Sequence, residues 1–149
     1  MIYIGSDHRG FHDKRLIVAY LKRLRYPVVD VGSHTLDPDD DYPQVAREVV
    51  RMVQKLPQRH VGILLCGSGI GASVAANKFR GIRAGLVTSE KMARAARNDD
   101  NTNILIMPAD YLHFSEEKRI IKTWLKTPFS KLTRHKRRIQ QINDIEKQW

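Results

Sequence analysis

Cysteine is almost missing from this chain: Cys66 is the only one among 149 residues. No internal disulfide can form, which fits a reducing cytoplasm. Long apolar runs are missing too. No stretch approaches the ~20 residues needed to span a bilayer, so no membrane partner is expected. The opening Met1-Ile2-Tyr3-Ile4-Gly5 enters a strand-like run directly and shows no signal segment. No His/Cys cluster has zinc spacing. The acidic run Asp37-Pro38-Asp39-Asp40-Asp41 lacks the spacing and the glycine of a calcium loop and reads as a solvated loop. Neither a metal nor a cofactor is expected. Internal repeats and low-complexity segments are absent as well.

Acidic residues are scarce only near the end. Residues 118–149 carry 10 Lys/Arg against 2 Asp/Glu, whereas residues 1–117 carry 16 against 14. The net charge of +10 therefore belongs to the C-terminal segment. Such a tail reads either as a nucleic-acid footprint or as a helix that carries phosphate-binding arginines and otherwise faces solvent. A near-neutral body without aromatic-interleaved basic patches argues against nucleic acid as the partner.

Short apolar runs alternate with helical periodicity. Strands are expected at Ile2–Ile4, Val28–Val31, Val61–Leu65, Ala84–Val87 and Asn103–Met107, and helices at Phe11–Arg25, Pro43–Leu56, Ile70–Phe79, Ser89–Asn98, Ser115–Lys126 and Ser130–Gln148. Ile17, Leu21 and Leu24 give the first helix one core-facing stripe, and Tyr26-Pro27 ends it, because the residue before proline avoids the helical region. Pro43 suits a first helical turn. The pattern predicts one domain over residues 1–149: an α/β fold, a Rossmann-like three-layer α/β/α sandwich on a five-stranded parallel sheet. In the last helix Leu132, Ile139, Ile142, Ile145 and Trp149 form a partial apolar stripe, so it packs against something. Arg134 and Arg138 share a face of that helix and suit a phosphate.

Cys66 opens the run Cys66-Gly67-Ser68-Gly69-Ile70-Gly71-Ala72-Ser73, between a buried strand and a helix. Free N–H groups and the helix dipole in such a turn favour a thiolate, and equally an oxyanion or phosphate bound in front of it. Gly67 to Ala72 also matches the dinucleotide pattern Gly-x-Gly-x-x-Ala, but after the third strand and with no acidic residue closing the next one, so a small oxyanion cradle fits better. Ligands of open α/β sheets bind beyond the carboxyl ends of the strands. Gly5-Ser6-Asp7-His8-Arg9-Gly10, the Cys66 turn and Asp99-Asp100-Asn101-Thr102-Asn103 are all expected at that edge.

Together these motifs, with Val31-Gly32, Asp41-Tyr42-Pro43, Ala75-Ala76-Asn77-Lys78, Gly81-Ile82-Arg83-Ala84 and Arg134-His135, resemble the ribose-5-phosphate isomerase B family, which includes the galactose-6-phosphate isomerase subunits. The resemblance covers nearly the whole chain. It implies a metal-free aldose–ketose isomerase that interconverts ribose 5-phosphate and ribulose 5-phosphate through a cis-enediolate. It assigns Cys66 as proton-shuttling base and Ser68 to substrate or proton handling. It places Asp7, His8, Tyr42, the backbone of Gly67, Ser68, Gly69, Ile70 and Gly71, and Asn101, Arg134 and Arg138 around the substrate. It further implies a homodimer or tetramer whose sites are shared, the last helix reaching a neighbouring subunit.

Three positions depart from the family pattern. Asp99 stands where the family usually has a ring-opening histidine, Asp100 where it has asparagine, and Asp110 where it has a phosphate-binding arginine. Either Asp99 or Asp100 is expected to take over ring opening. Asp110 would repel a nearby phosphate, leaving His8, Arg134, Arg138 and either Arg9 or Arg137 to hold it. Two further functions fit these departures: isomerisation of a six-carbon sugar phosphate such as allose or galactose 6-phosphate, and non-catalytic sugar-phosphate binding.

Overall fold

A computed structural model describes residues 1–148, so the expected place of Trp149 in the apolar stripe lies outside the described residues. Strands β1 (Ile2–Ser6), β2 (Val28–Asp30), β3 (Val61–Cys66), β4 (Ala84–Leu86) and β5 (Ile104–Pro108) form one parallel sheet in the order β2-β1-β3-β5-β4. Between and after them come α1 (Phe11–Arg23), α2 (Tyr42–Lys55), α3 (Ile70–Ala76), α4 (Glu90–Asn98), α5 (Phe114–Lys126) and α6 (Thr133–Glu146), with a single 3-10 turn at Ala109–Tyr111. The chain leaves β1 toward one side and enters β3 on the other, so the crevice between their carboxyl ends is a topological switch point.

Side chains alternate across each central strand. Ile2, Ile4, Ile63, Leu65, Leu105 and Met107 pack with Ile17 and Leu21 of α1 and Ile120, Ile121 and Trp124 of α5. Tyr3, Leu64, Cys66, Ile104 and Ile106 face Val49, Val50 and Val53 of α2 and Ala72 and Ala76 of α3. Each fully buried Ile, Leu or Val in these layers contributes roughly 1.5–3 kcal/mol. The buried Lys14 of α1 donates from Nζ to Asp30 Oδ1 (3.0 Å) and to the Ser33 carbonyl (2.6 Å). It thereby ties down the loop that leads from β2 to Asp40.

Element ends differ from expectation for local reasons. Strands β1 and β3 run on to Ser6 and Cys66, since Cys66 still pairs in register with Pro108 of β5. Helix α1 stops before Arg25, which adopts a left-handed φ of 61° ahead of Tyr26-Pro27. Helix α3 stops at Ala76 because the Asn77 amide turns to the strand beside it, accepting from the Ala84 N–H (2.9 Å) and donating to the Ala84 carbonyl (3.0 Å). Helix α6 begins only at Thr133, after Lys131 at φ 58°.

Glu117 of α5 is fully buried, and neither carboxyl oxygen has a hydrogen-bond partner. Burial, with Asp13 nearby, pushes its pKa up to about 8. The unfolded chain ionises this group near the ordinary carboxyl value while the folded protein keeps it protonated. Stability is therefore greatest on the acid side of that value and falls as pH rises toward about 8. Replacing Glu117 by Gln is expected to remove this loss and raise stability near pH 8 by on the order of a few kcal/mol. Thermal midpoints of the two proteins across pH check this: the wild-type midpoint should fall where that of E117Q stays level.

Candidate active site

The β3–α3 turn is built around Gly69, whose φ of 74° puts it in the left-handed region. A Cβ there would also meet Leu86 Cδ1 at 2.5 Å. This turn brings the chain back over the end of β3, so the N–H groups of Gly69 and Ala72 point at the Cys66 sulfur. Cys66 is 6% exposed. From the end of β1 comes Asp7, also buried, whose Oδ1 accepts from the N–H groups of Arg9 and Gly10 at 3.1 Å each. The Asp7 carboxylate also faces the Cys66 thiol.

These contacts overturn the expectation that the turn favours a thiolate. Burial first, then the hydrogen bond to Asp7 and its negative charge, push the thiol up to about 11, and the Gly69 and Ala72 N–H groups offset only part of this. A helix end raises the acidity of a thiol in water-like surroundings. Here the thiol is buried and faces a carboxylate.

Around this pair the turn is partly committed. Ser68 Oγ accepts from the Ile70 N–H at 3.3 Å, and its proton remains free to donate. Because the Ile70 N–H already has a partner, Gly67, Ser68, Gly69 and Gly71 of the expected cradle are left for an oxyanion. Tyr42, at the start of α2, lays its ring on Gly71: a Cβ there would lie 2.6 Å from Cζ. His8 follows Asp7, and its Nδ1 lies 2.8 Å from Asp40 Oδ1. The hydrogen bond to Asp40 is the main cause of a His8 pKa raised above its ordinary value. Asp40 is therefore placed beside His8 rather than being one of four solvated acids. Nothing in the acidic run distinguished it, since the pairing comes from the long β2–α2 loop folding back.

The remaining expected residues lie at the other edge of the sheet. Every strand is parallel, so residues just before β5 are at its amino end, whereas Cys66 is at the carboxyl end of β3. Between Ile104 and Pro108, opposite Gly62 and Cys66, the strand alone spans roughly 13 Å. Asp99, Asp100 and Asn101 thus do not share an edge with Cys66 of the same chain, which corrects the expectation. Asn101 (φ 47°) is part of a backbone knot: its carbonyl accepts from Arg83 Nη2 at 2.9 Å, and the Asp100 carbonyl accepts from Arg83 Nε at 3.0 Å. Asp99 Oδ1 is 3.8 Å from Nδ1 of the buried His135, which also meets Ser130 Oγ at 2.6 Å. Arg134 donates from Nε to His135 Nε2 (3.2 Å), and Arg138 stands exposed one turn on. The expected site residues of one chain therefore fall into two groups: Asp7, His8, Tyr42 and Cys66 at one edge of the sheet, and Asp99, Asp100, Arg134 and Arg138 at the other.

Among the described residues no three His, Cys, Asp or Glu side chains gather as a metal site, and no helix is long and apolar enough to cross a membrane.

The chain as a whole is similar to known proteins. A family model described as Ribose/Galactose Isomerase matches residues 2–142. The chain is 42% identical over 147 residues to a probable ribose-5-phosphate isomerase B of Mycoplasma genitalium, covering 99% of this chain and 96% of that protein. It is 35% identical over 146 residues to the ribose-5-phosphate isomerase B of Mycolicibacterium paratuberculosis, covering 98% and 91%. Among solved structures, the Mycoplasma genitalium ribose-5-phosphate isomerase B with bound ribulose-5-phosphate superposes with a TM-score of 0.95 at 42% identity, covering 99% of this chain and 97% of that one. The Thermotoga maritima ribose 5-phosphate isomerase superposes with a TM-score of 0.91 at 40% identity, covering 96% and 97%.

Proposed function

Because the chain belongs to the ribose/galactose isomerase family, we propose that it interconverts ribose 5-phosphate and ribulose 5-phosphate, with Cys66 as the proton-shuttling base. The observation that carries this reading is the Cys66–Asp7 pair, held at the switch-point crevice beneath the Gly69 and Ala72 N–H groups.

With a thiol near 11, free thiolate at pH 7 amounts to only about one part in 10⁴. The base therefore works as a pair. The thiol proton passes to the Asp7 carboxylate as Cys66 takes the C2 proton of the open-chain aldose. Electrons of the broken C2–H bond form the C1–C2 double bond of a cis-enediolate, leaving negative charge on O1. N–H groups of the turn stabilise that charge, and the free Ser68 hydroxyl proton relays between O2 and O1. Cys66 then gives its proton to C1, which completes the ketose, and Asp7 returns its own to the sulfur. Proton count and charge are the same before and after the cycle. Asp99, with Asp100 and the buried His135 beside it, opens the sugar ring in a site completed by a second copy.

A shared site follows from taking the two groups as half-sites, and from α6. That helix buries only His135 and leaves Ile142 and Ile145 exposed, as is Leu132 just before it, an apolar stripe suited to a second copy of the chain in a dimer or tetramer.

The deciding experiment is turnover on a panel of five- and six-carbon sugar phosphates in deuterated water, with deuterium at C1 and C2 read by NMR. Ribose 5-phosphate should be turned over fastest, with solvent deuterium entering the product. Binding without any exchange would reduce the protein to a sugar-phosphate binder.

His8 supplies a pH dependence. Its raised pKa keeps the imidazolium, a phosphate donor, on the acid side of that value. KM should therefore rise as pH climbs through it. In Asp40→Asn the rise should begin at lower pH. The phosphate's own second ionisation near 6 is common to both proteins, so the displacement between the two KM profiles isolates His8.

A further inference from the structure

Asp110, in the 3-10 turn after β5, occupies the mouth of the Cys66 site but does not stand alone there. Its carboxylate takes a two-pronged pair from Arg9, with Arg9 Nη2 to Oδ2 at 2.6 Å and Arg9 Nε to Oδ1 at 3.1 Å. Its backbone N–H also donates to the Gly67 carbonyl at 3.1 Å. The Arg9 stem lies across Gly67, where a Cβ would meet Arg9 Cδ at 2.6 Å and Nε at 2.7 Å. The pair thus bridges positions 101 residues apart in sequence and roofs the residue next to Cys66.

We infer that Arg9 binds the phosphate of the substrate, and that Asp110 is a positioning residue that aims it. This rests on the isomerase reading above and assigns residues that the carboxyl-edge half-site otherwise lacks. Apart from His8, the groups already placed at that half-site carry negative charge or none: Asp7, Asp40, the thiol and Tyr42. Arg9 is the guanidinium in contact with the turn. Its Nε and one prong of Nη2 are spent on Asp110, which leaves Nη1 and the outer N–H of Nη2 for an oxyanion, and its side chain is 57% exposed. A long side chain at that exposure normally samples many rotamers. A planar carboxylate engaging two of its N–H groups fixes the guanidinium in one orientation. As a mere surface ion pair it would contribute little to stability, so its effect is expected in substrate binding.

The test is steady-state kinetics of Arg9→Ala, Asp110→Ala, Asp110→Glu and the R9A/D110A double variant on ribose 5-phosphate and unphosphorylated ribose. R9A should raise KM for ribose 5-phosphate roughly 10- to 100-fold, as for a lost hydrogen-bonded charge, with kcat within a few-fold. Activity on free ribose should be unchanged. D110A should raise KM by a smaller factor, D110E should restore it in part, and the double variant should be no worse than R9A. An unchanged KM in R9A, a lowered KM in D110A, or equal losses on ribose and its phosphate would overturn the inference. A second readout is independent of turnover: inorganic phosphate should protect Cys66 from iodoacetamide in the wild type, less in D110A and not in R9A. Protection without turnover would sink the isomerase reading alone. Turnover with protection indifferent to Arg9 would sink this one alone.

Discussion

Replacing Cys66 by alanine is expected to lower kcat for ribose 5-phosphate by about 10³-fold or more, with KM and the melting temperature little changed. The size follows from the role. General base catalysis contributes typically 10²–10⁴-fold, and the one titratable group placed against the sulfur is Asp7, which already faces it. The structural cost is small, because one buried sulfur is removed from a layer lined by Ala72, Ala76 and Ile106, at a cost of order 1 kcal/mol. Initial rates, product deuteration at C1 and a thermal melt measure the three quantities. Near wild-type turnover in C66A would end the mechanism, whereas a collapsed melt would mean that the cysteine is there for packing. Because the resting group is a thiol, the wild-type rate should also depend on Asp7: an amide at that position cannot take the proton.

The second large effect is complementation between two inactive proteins. C66A lacks the base at the carboxyl edge, and the Arg134→Ala/Arg138→Ala variant lacks the guanidinium pair at the amino edge. If sites are completed across a two-fold interface, one site of each mixed dimer has both halves intact. Exchanging the two at equal amounts should restore about a quarter of wild-type activity, since half the dimers are mixed and each has one good site. Rates before and after subunit exchange, with a sedimentation measurement of size, give the answer. Continued inactivity with mixed dimers present would show that both halves act within one chain or not at all, against the placement of Asp99 and Arg134 beyond the opposite end of β5.

The fold was largely open to sequence reading. Five strands and six helices appear where apolar runs and helical stripes predict them, because burial on both faces of a parallel sheet demands near-continuous apolar runs such as Val61 to Leu65. Boundaries slipped where side chains took over backbone roles, as Asn77 does at the end of α3 and Ser130 before α6. Asp7, Cys66 and the glycine turn were equally legible, since strand ends followed by turns define the carboxyl edge. The loop at 99–103 was misplaced for a simple reason: a residue before a parallel strand lies at the opposite edge from a residue after one. The charge state of Cys66 was also beyond reach, because it depends on burial in the folded layers and on Asp7, 59 positions away in the chain.

Cys66, its turn, the sheet that carries it and the family to which the chain belongs are local properties. Spacing, periodicity and backbone chemistry suffice to write them, and they needed no coordinates. Three matters are set by groups remote in sequence and could be decided only in three dimensions. Burial and Asp7 keep the thiol protonated, Arg9 finds Asp110 across 101 residues, and strand direction splits the expected site into two halves. Electrostatic shifts and shared sites depend on distance through space, which a linear pattern does not record.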